Sequence, residues 1–314
     1  MKAEGFFYLV FLSLFAAAAQ AAELREVTLG LVSPNWSTQL PVVVAEQAGF
    51  FKEEGMKVHS VTIASGGTIM VAILTSGHAD LVISGVAAIM RAIARGAPVV
   101  VVSGFQSRID YALIGAKGLA RLGDLKGKKV GVTSVGSFSE FAVIESLRRS
   151  GLMRDKDYTL LAAGGTTVRI GALKVGKVDA IPLSSSERVA IEQEGYPVLL
   201  ELGRILPEIP SSVLVAAKQF AAKEPETVVR VIRALFKSMH LIKADKDKAI
   251  KLAVAAKLRG DPDTQRKALD YYADDLKVQI ERESIVALLG ALGIKGDPDH
   301  FFDRSFLAKA VARP

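Results

Sequence analysis

Apolar segments alternate with amphipathic segments over the first two thirds of the chain. The pattern predicts a buried strand at 27–33 and further strands at 55–65, 81–84 and 98–105. Between them, apolar residues recur at helical spacing, and Gly49 and Gly77 stand where helix C-terminal caps are common. Because strands and helices alternate, the pattern predicts an α/β fold with mostly parallel sheets covered by helices on both faces.

The same arrangement returns later in the chain. The segment "SGGTIMVAILTSGHADLVIS" at 65–84 is matched by "AGGTTVRIGALKVGKVDAIPLS" at 163–184. This second half adds predicted strands at 128–134, 158–165 and 181–186. Asp80 and Asp179 occupy matching positions after a helix-capping glycine, so we interpret them as turn residues rather than as catalytic carboxylates. The repeat predicts two similar α/β lobes.

Two segments are predicted to connect the lobes. "RIDYALIGAK" at 108–117 and "LPEIPSSVLVAAK" at 206–218 have the pattern of extended segments that cross from one lobe to the other. The sequence therefore predicts a ligand cleft between the lobes. The predicted divisions are lobe 1 at 22–107, lobe 2 at 108–210, and at 211–314 a return segment with C-terminal helices that pack on the lobes.

The N-terminus has the layout of a secretory signal peptide. Lys2 precedes an apolar run from Phe6 to Ala19, which is short for a helix that spans a bilayer, and small residues follow it. We expect residues 1–21 to be a signal peptide cleaved near Ala21, which implies a periplasmic or extracellular protein. An uncleaved membrane anchor is the alternative.

Composition excludes several kinds of chemistry. The 314 residues include no cysteine, so a disulfide framework, a thiolate metal site and a cysteine nucleophile are excluded. The four histidines lack paired metal-ligand spacing, and no nucleophile elbow, P-loop or dinucleotide fingerprint occurs. Although the formal net charge is +7, the basic residues are spread without aromatic interleaving. We expect no metal, no cofactor, no nucleic-acid partner and no enzymatic activity.

The candidate binding residues lie in loops that follow the predicted strands. In open α/β sheets, ligands bind beyond the carboxyl ends of the strands, where helix N-termini carry partial positive charge. Here these loops are rich in serine, threonine and glycine and contain no carboxylate, which favours a small polar or anionic solute. The candidates are Asn35, Trp36, Ser37, Ser65, Gly66, Gly67, Ser84, Ser134, Gly136, Ser137, Phe138, Thr166 and Ser184.

These residues also have plainer interpretations. The serines could cap helices, and the glycines could only permit turns. Trp36 lies in a polar loop, which favours the cleft over the core. Arg108 and Arg169 could clamp an anion, and Arg108 could instead pair with Asp110, so the sequence leaves the roles of both arginines open.

Four segments, in their order, resemble the nitrate/taurine-type substrate-binding proteins of ABC transporters, from about residue 27 to about residue 240. They are "LPVVVAEQAGFFKEEGMKV", "GGTIMVAILTSGHADLVISG", "LGDLKGKKVGVTSVGSFSEF" and "ALKVGKVDAIPLS". The resemblance implies a type II periplasmic binding protein fold whose lobes close on a sulfonate, nitrate, carboxylate or related solute. It also implies delivery of this solute to a membrane permease, and a monomer is the usual expectation for a freely diffusing shuttle. A sensor component that presents its closed form to a membrane receptor is the alternative.

The same fold also occurs in an enzyme, the thiamine-pyrimidine synthase branch. That branch relies on a histidine that serves as a suicide substrate and on a cysteine-rich iron motif. Because this chain has no cysteine, the resemblance favours the binding protein over the synthase.

Overall fold

The structure is a computed structural model that describes residues 24–63 and 66–312. The predicted signal peptide, its cleavage site and the candidate Ser65 lie outside the described residues. Within them, no helix combines the length and the apolar character needed to cross a membrane.

The described strands form two five-stranded sheets. In chain order they are β1 (Arg25–Leu31), β2 (Met56–Thr62), β3 (Leu81–Gly85), β4 (Val99–Gln106), β5 (Tyr111–Gly115), β6 (Lys128–Val132), β7 (Tyr158–Ala162), β8 (Ala180–Ser184), β9 (Val198–Glu201) and β10 (Ser212–Ala217). The predicted strands correspond to β1 to β4 and β6 to β8, because short apolar or alternating runs are a strong local signal. The edge strands β2 and β7 are largely exposed.

The helices lie between and after these strands. They are α1 (Trp36–Gln47), α2 (Phe50–Glu53), α3 (Gly67–Thr75), α4 (Val86–Ala94), α5 (Phe138–Arg149), α6 (Thr166–Lys174), α7 (Ser185–Gln193), α8 (Leu202–Ile205), α9 (Lys218–Lys223), α10 (Pro225–Ala244), α11 (Lys246–Ala255), α12 (Pro262–Tyr272), α13 (Arg282–Ala291) and α14 (Arg304–Val311).

The two sheets have the same design. Lobe 1 has the strand order β2-β1-β3-β10-β4, and lobe 2 has the order β7-β6-β8-β5-β9. In each sheet the first three strands are parallel, and the fourth runs antiparallel to both of its neighbours. The prediction of two similar, mostly parallel α/β lobes is confirmed. The antiparallel strand is the part that local patterns do not reveal.

That antiparallel strand is supplied by the crossing segments. The chain leaves lobe 1 after β4 and enters lobe 2 as β5, and it returns to lobe 1 as β10 after α8. The predicted boundaries at 107/108 and 210/211 fall in these two connections and stay a prediction. Since β5 and β10 each lie inside a sheet, the connections at 107–110 and 206–211 pass between the lobes at the base of the cleft.

Asp80 and Asp179 have matching structural roles. The backbone N–H of Thr28 in β1 donates to Asp80 Oδ2 at 2.8 Å, and the N–H of Lys129 in β6 donates to Asp179 Oδ2 at 2.8 Å. Both carboxylates therefore close turns at the amino ends of the sheets, opposite the cleft. This confirms their interpretation as turn residues.

The C-terminal helices extend the core of lobe 1. Val228 and Ile232 of α10 are buried with Leu40 and Val44 of α1 in one apolar cluster. Helix α11 also contacts α1, whereas α12 contacts α7 of lobe 2. The C-terminal segment thus packs on both lobes.

Candidate functional site

The carboxyl ends of the parallel strands in both sheets face the space between the lobes. A helix begins after each of them: α1, α3 and α4 in lobe 1, and α5, α6 and α7 in lobe 2. The first backbone N–H groups of a helix have no partner within the helix, and the helix dipole adds partial positive charge there. Six helix N-termini therefore converge on the cleft.

A cavity of about 80 Å³ lies where these N-termini meet. Residues of both lobes and of both crossing segments form its wall. The candidate residues in the wall are Asn35, Ser37, Gly66, Gly67, Ser137, Phe138 and Thr166. The structure thus brings together about half of the candidates, and all of these belong to loops that follow strands.

Trp36 is directed away from the cavity. It is the first residue of α1 and is 3% exposed, and its indole N–H donates to the carbonyl oxygen of Arg259 at 2.5 Å. A Cβ on Gly260 would lie 2.7 Å from the indole nitrogen, so glycine is required for this contact. Successive helix residues point in different directions, and here Asn35 and Ser37 face the cavity while Trp36 packs in the core of lobe 1.

Four other candidates lie near the cavity but outside its wall. Ser84 is fully buried in lobe 1. The carbonyl oxygen of Gly136 accepts a hydrogen bond from Arg91 Nη1 of lobe 1 at 3.0 Å. Ser134 Oγ would lie 3.3 Å from a Cβ on Gly66 of lobe 1. Gly136 and Ser134 therefore contribute to contacts between the lobes.

Ser184, the remaining candidate outside the wall, connects the lobes directly. Asn35 Nδ2 donates to Ser184 Oγ at 3.0 Å, and Ser184 Oγ donates in turn to the carboxylate of Glu187. Asn35 is the N-cap residue of α1, yet its side chain makes no capping bond. Its amide nitrogen is instead used across the cleft.

Phe138 closes the cleft on the side of lobe 2. Its ring meets Tyr111 edge to face, with 5.8 Å between the ring centroids. A Cβ on Gly85 of lobe 1 would lie only 2.7 Å from Phe138 Cβ. Gly85 therefore allows the two lobes to approach closely at this point.

Arg169 places a positive charge in the cavity wall. Its side chain is buried, and its Nη1 atom donates to Thr133 Oγ1 at 2.6 Å and to the carbonyl oxygen of Gly164 at 2.9 Å. Burial lowers the pKa of Arg169, but an arginine in a protein stays protonated. Among the described residues, no carboxylate lies within ion-pairing distance of it, and its Nε has no hydrogen-bond partner. Its Nη2 atom donates to Thr166 Oγ1 and to the carbonyl oxygen of Pro182, each at 3.3 Å. Neutral oxygens therefore hold the guanidinium in place, and its positive charge favours an electron-rich group in the cavity.

Arg108 has a different environment. Its Nε atom pairs with Asp275 Oδ1 at 2.7 Å, its side chain is 55% exposed, and it lies outside the cavity wall. Arg108 therefore pairs with an acid, as one of the two interpretations allowed, but that acid is Asp275 and not Asp110. The question that the sequence left open is resolved in geometry: Arg169 faces the cavity and Arg108 does not.

Asp110 is a wall residue that sequence reasoning missed. The loops after the strands contain no carboxylate, but Asp110 reaches the cavity from the crossing segment between β4 and β5. Burial raises the pKa of Asp110 to about 6. Burial likewise raises the pKa of the neighbouring Glu187 to about 7. The expectation of an acid-free pocket is therefore corrected: the cavity wall carries one acid, Asp110, as well as a guanidinium.

The crossing segments contribute other residues that were not among the candidates. Gln106, Tyr111, Ser211 and Ser212 all line the cavity. For Tyr111, Ser211 and Ser212 the usable signal was the assignment of 108–117 and 206–218 as crossing segments, because such crossings lie at the base of a cleft. Gln106 ends β4, just before the first of these segments.

Most of the residues that surround this cavity fall within one family match. A model described as NMT1/THI5 like matches residues 36–249. The chain belongs to the NMT1/THI5-like family. The predicted family resemblance is confirmed. The family match covers most of both lobes and the cavity-facing ends of their helices.

Relatives of known sequence include a 4-amino-5-hydroxymethyl-2-methylpyrimidine phosphate synthase of Saccharomyces cerevisiae. It is 25% identical over 236 residues, which are 69% of this chain and 68% of the yeast protein. Family membership is thus compatible with an enzyme and does not by itself define what this chain does.

Solved structures show the fold. A protein from Bordetella bronchiseptica is 23% identical with a TM-score of 0.79, and the match covers 93% of this chain and 98% of that protein. The alkanesulfonate-binding protein from Xanthomonas axonopodis pv. citri is 21% identical with a TM-score of 0.74, over 92% of this chain and 98% of that one. The prediction of a two-lobed periplasmic binding protein fold is confirmed.

Proposed function

We propose that this chain is the extracytoplasmic solute-binding protein of an ABC importer, which closes two lobes on a small polar solute and delivers it to a membrane permease. The observation that carries the proposal is a small cavity walled by both lobes and bridged by the hydrogen bond from Asn35 to Ser184. The alkanesulfonate-binding protein of the same fold supports it by analogy.

Closure would follow from binding. A solute that contacts Ser37 and Gly67 on lobe 1 together with Thr166 and Arg169 on lobe 2 binds the closed arrangement better than the open one. Its binding free energy then favours closure in proportion to that difference in affinity. The permease could recognise a loaded protein by this closed surface.

The location and the oligomeric state belong to the proposal. The pattern at residues 1–21 supports export to the periplasm or the extracellular space. One copy of the chain supplies both walls of the cavity, so a monomer is sufficient for binding.

The synthase relatives raise an enzymatic alternative. The resemblance ties that activity to a histidine substrate and to cysteines, and this chain has no cysteine. All four histidines, His59, His78, His240 and His300, are exposed, and the cavity wall holds no histidine among the described residues. Their placement favours binding without turnover, and we expect neither a cofactor nor a metal.

A thermal-shift screen tests the proposal. The library would contain sulfonates, nitrate, bicarbonate, carboxylates, phosphonates and pyrimidines. A solute at about 100 times its dissociation constant should stabilise the protein by about 2.7 kcal/mol. Thr166→Ala should reduce this shift, and the matched variant Thr167→Ala, at an exposed neighbouring position, should not. Shifts that are equally large in both variants would contradict binding in the cavity.

A further inference from the structure

Phe138 places a large apolar ring in the cavity wall at the first residue of α5. The ring centroid lies 5.8 Å from that of Tyr111, which it meets edge to face, and 6.0 Å from that of Phe141. On the side of lobe 1, a Cβ on Gly85 would lie 2.7 Å from Phe138 Cβ. Because neighbours from both lobes hold it, the ring is a fixed boundary of the cavity when the lobes are closed.

The N-terminus of α5 is satisfied by side chains of its own first turn. The backbone N–H of Glu140 donates to Ser137 Oγ at 3.2 Å, and the N–H of Gly136 donates to the Glu140 carboxylate at 2.7 Å. By contrast, α3 and α6 begin at Gly67 and Thr166 without a side-chain cap from the described residues. The donors that a polar solute group can use therefore lie at α3 and α6, whereas α5 presents an apolar ring.

The cavity is also small. Its volume is about 80 Å³, whereas pockets for drug-sized ligands measure roughly 300–1,000 Å³. A water-sized group needs about 10–15 Å³, so the closed cavity has room for about five to eight such groups. A solute with its polar group at α3 and α6 therefore has space for only a short chain.

We propose that Phe138 is a specificity-determining residue that limits the length of the solute, whose short apolar chain ends against the Phe138 ring. This inference rests on the proposed function and defines the size class of the solute in the same cavity. The cavity volume sets the limit at about eight non-hydrogen atoms. A longer chain would have to displace the ring, which Gly85, Tyr111 and Phe141 hold in place.

Two series of straight-chain acids test this inference by calorimetry near neutral pH. They run from methanesulfonate to octanesulfonate and from acetate to octanoate. In the unmodified protein, each added methylene that fits should tighten binding about fourfold in at least one series. Beyond about eight non-hydrogen atoms, a size that butanesulfonate and hexanoate reach, affinity should instead fall at least about tenfold. This break in the trend tests the size limit without any variant.

Phe138→Leu and Phe138→Met test whether the ring causes the break. Leucine is shorter than phenylalanine and methionine is flexible enough to give way, and both keep the wall apolar. The longest acid of the series that binds should gain at least about tenfold in affinity, which moves the break to longer chains. Phe220→Leu makes the same change in α9, outside the cavity wall, and should leave the break in place.

Three results would overturn the inference. They are an affinity that rises steadily to the longest acids in the unmodified protein, a break at an unchanged length in both Phe138 variants, or no binding by either series. If solutes above the size limit close the lobes, only this inference fails. If no solute of the wider screen binds at all, the proposed function fails with it.

Discussion

Asn35 of lobe 1 donates from Nδ2 to Ser184 Oγ of lobe 2 at 3.0 Å, and 149 positions of sequence separate the two residues. Both stand at helix N-termini, and neither caps its own helix with its side chain. The polar side chains at these helix starts therefore bind across the cleft. This contact directly links the closure of the lobes to the geometry of the cavity.

Ser184→Ala tests the contribution of this contact to closure. Loss of one hydrogen bond between the lobes should remove about 1 kcal/mol from the closed state, which weakens solute binding about fivefold. Calorimetry with the solute from the screen measures the change. Ser76→Ala, at an exposed helix end, is the control and should bind as the unmodified protein does. Unchanged affinity in Ser184→Ala would remove this contact from the account.

Arg169→Lys tests whether the guanidinium itself binds the solute. Lysine keeps the charge but cannot reproduce the planar set of donors that contacts Thr133 and Gly164. We expect solute affinity to fall at least about tenfold. Arg108→Lys, outside the cavity, should leave affinity unchanged. If the two variants behave alike, Arg169 has no special role in binding.

Gly260→Ala tests the placement of Trp36. The new methyl group would clash with the indole nitrogen, and Gly260 has a φ of 134°, which disfavours any other residue. We expect a loss of about 2–3 kcal/mol in the free energy of unfolding, measured by urea denaturation. Gly118 also has a positive φ, of 99°, but has open space around it. Gly118→Ala should therefore lose less of the free energy of unfolding. An equal loss in both variants would mean that the tryptophan contact is unimportant.

The pH dependence of stability follows from the buried carboxyls. In the unfolded chain Asp and Glu titrate near about pH 4, whereas burial raises the pKa of Asp110 to about 6 and that of Glu187 to about 7. The folded protein therefore holds extra protons between these values. This contribution to stability is fully present below about pH 4 and is lost as the pH rises through about 6 to 7.

Asp110→Asn should reduce that loss. The raised pKa of Asp110 corresponds to a contribution on the order of 2–3 kcal/mol to the free energy of unfolding. The unmodified protein loses this contribution as the pH rises, whereas an amide at position 110 does not titrate. Denaturation of the unliganded protein between about pH 4 and about pH 7 measures the slope. An identical slope in the unmodified protein and in Asp110→Asn would show that Asp110 does not titrate in this range.

Local patterns were sufficient to predict the repeated lobes. Buried strands and capping glycines are short-range features, so Gly77 and Gly176 could be recognised from the residues around them, and both have the expected positive φ. The insertion of β5 and β10 into opposite sheets depends on pairing between distant segments. No local periodicity encodes that pairing.

The cavity was predicted only in part for the same reason. Loops after strands identified Asn35, Ser37 and Thr166, because the topology of such sheets determines where these loops lie. Asp110 was missed because it is in a crossing segment, whose position depends on both sheets together. Trp36 was expected in the cleft because it lies in a polar stretch of sequence. In the structure α1 begins one turn earlier than the apolar pattern suggests, so the ring of Trp36 is directed into the core.

The central claim is that a solute closes the two lobes, and an interlobe distance tests it most directly. The chain has no cysteine, so spin labels can be attached at Ile69→Cys and Val168→Cys, two exposed positions in the first turns of α3 and α6. We predict that the solute from the screen shifts the distance distribution to a shorter and narrower one. A distribution that does not change while the solute is bound would contradict closure as the mechanism.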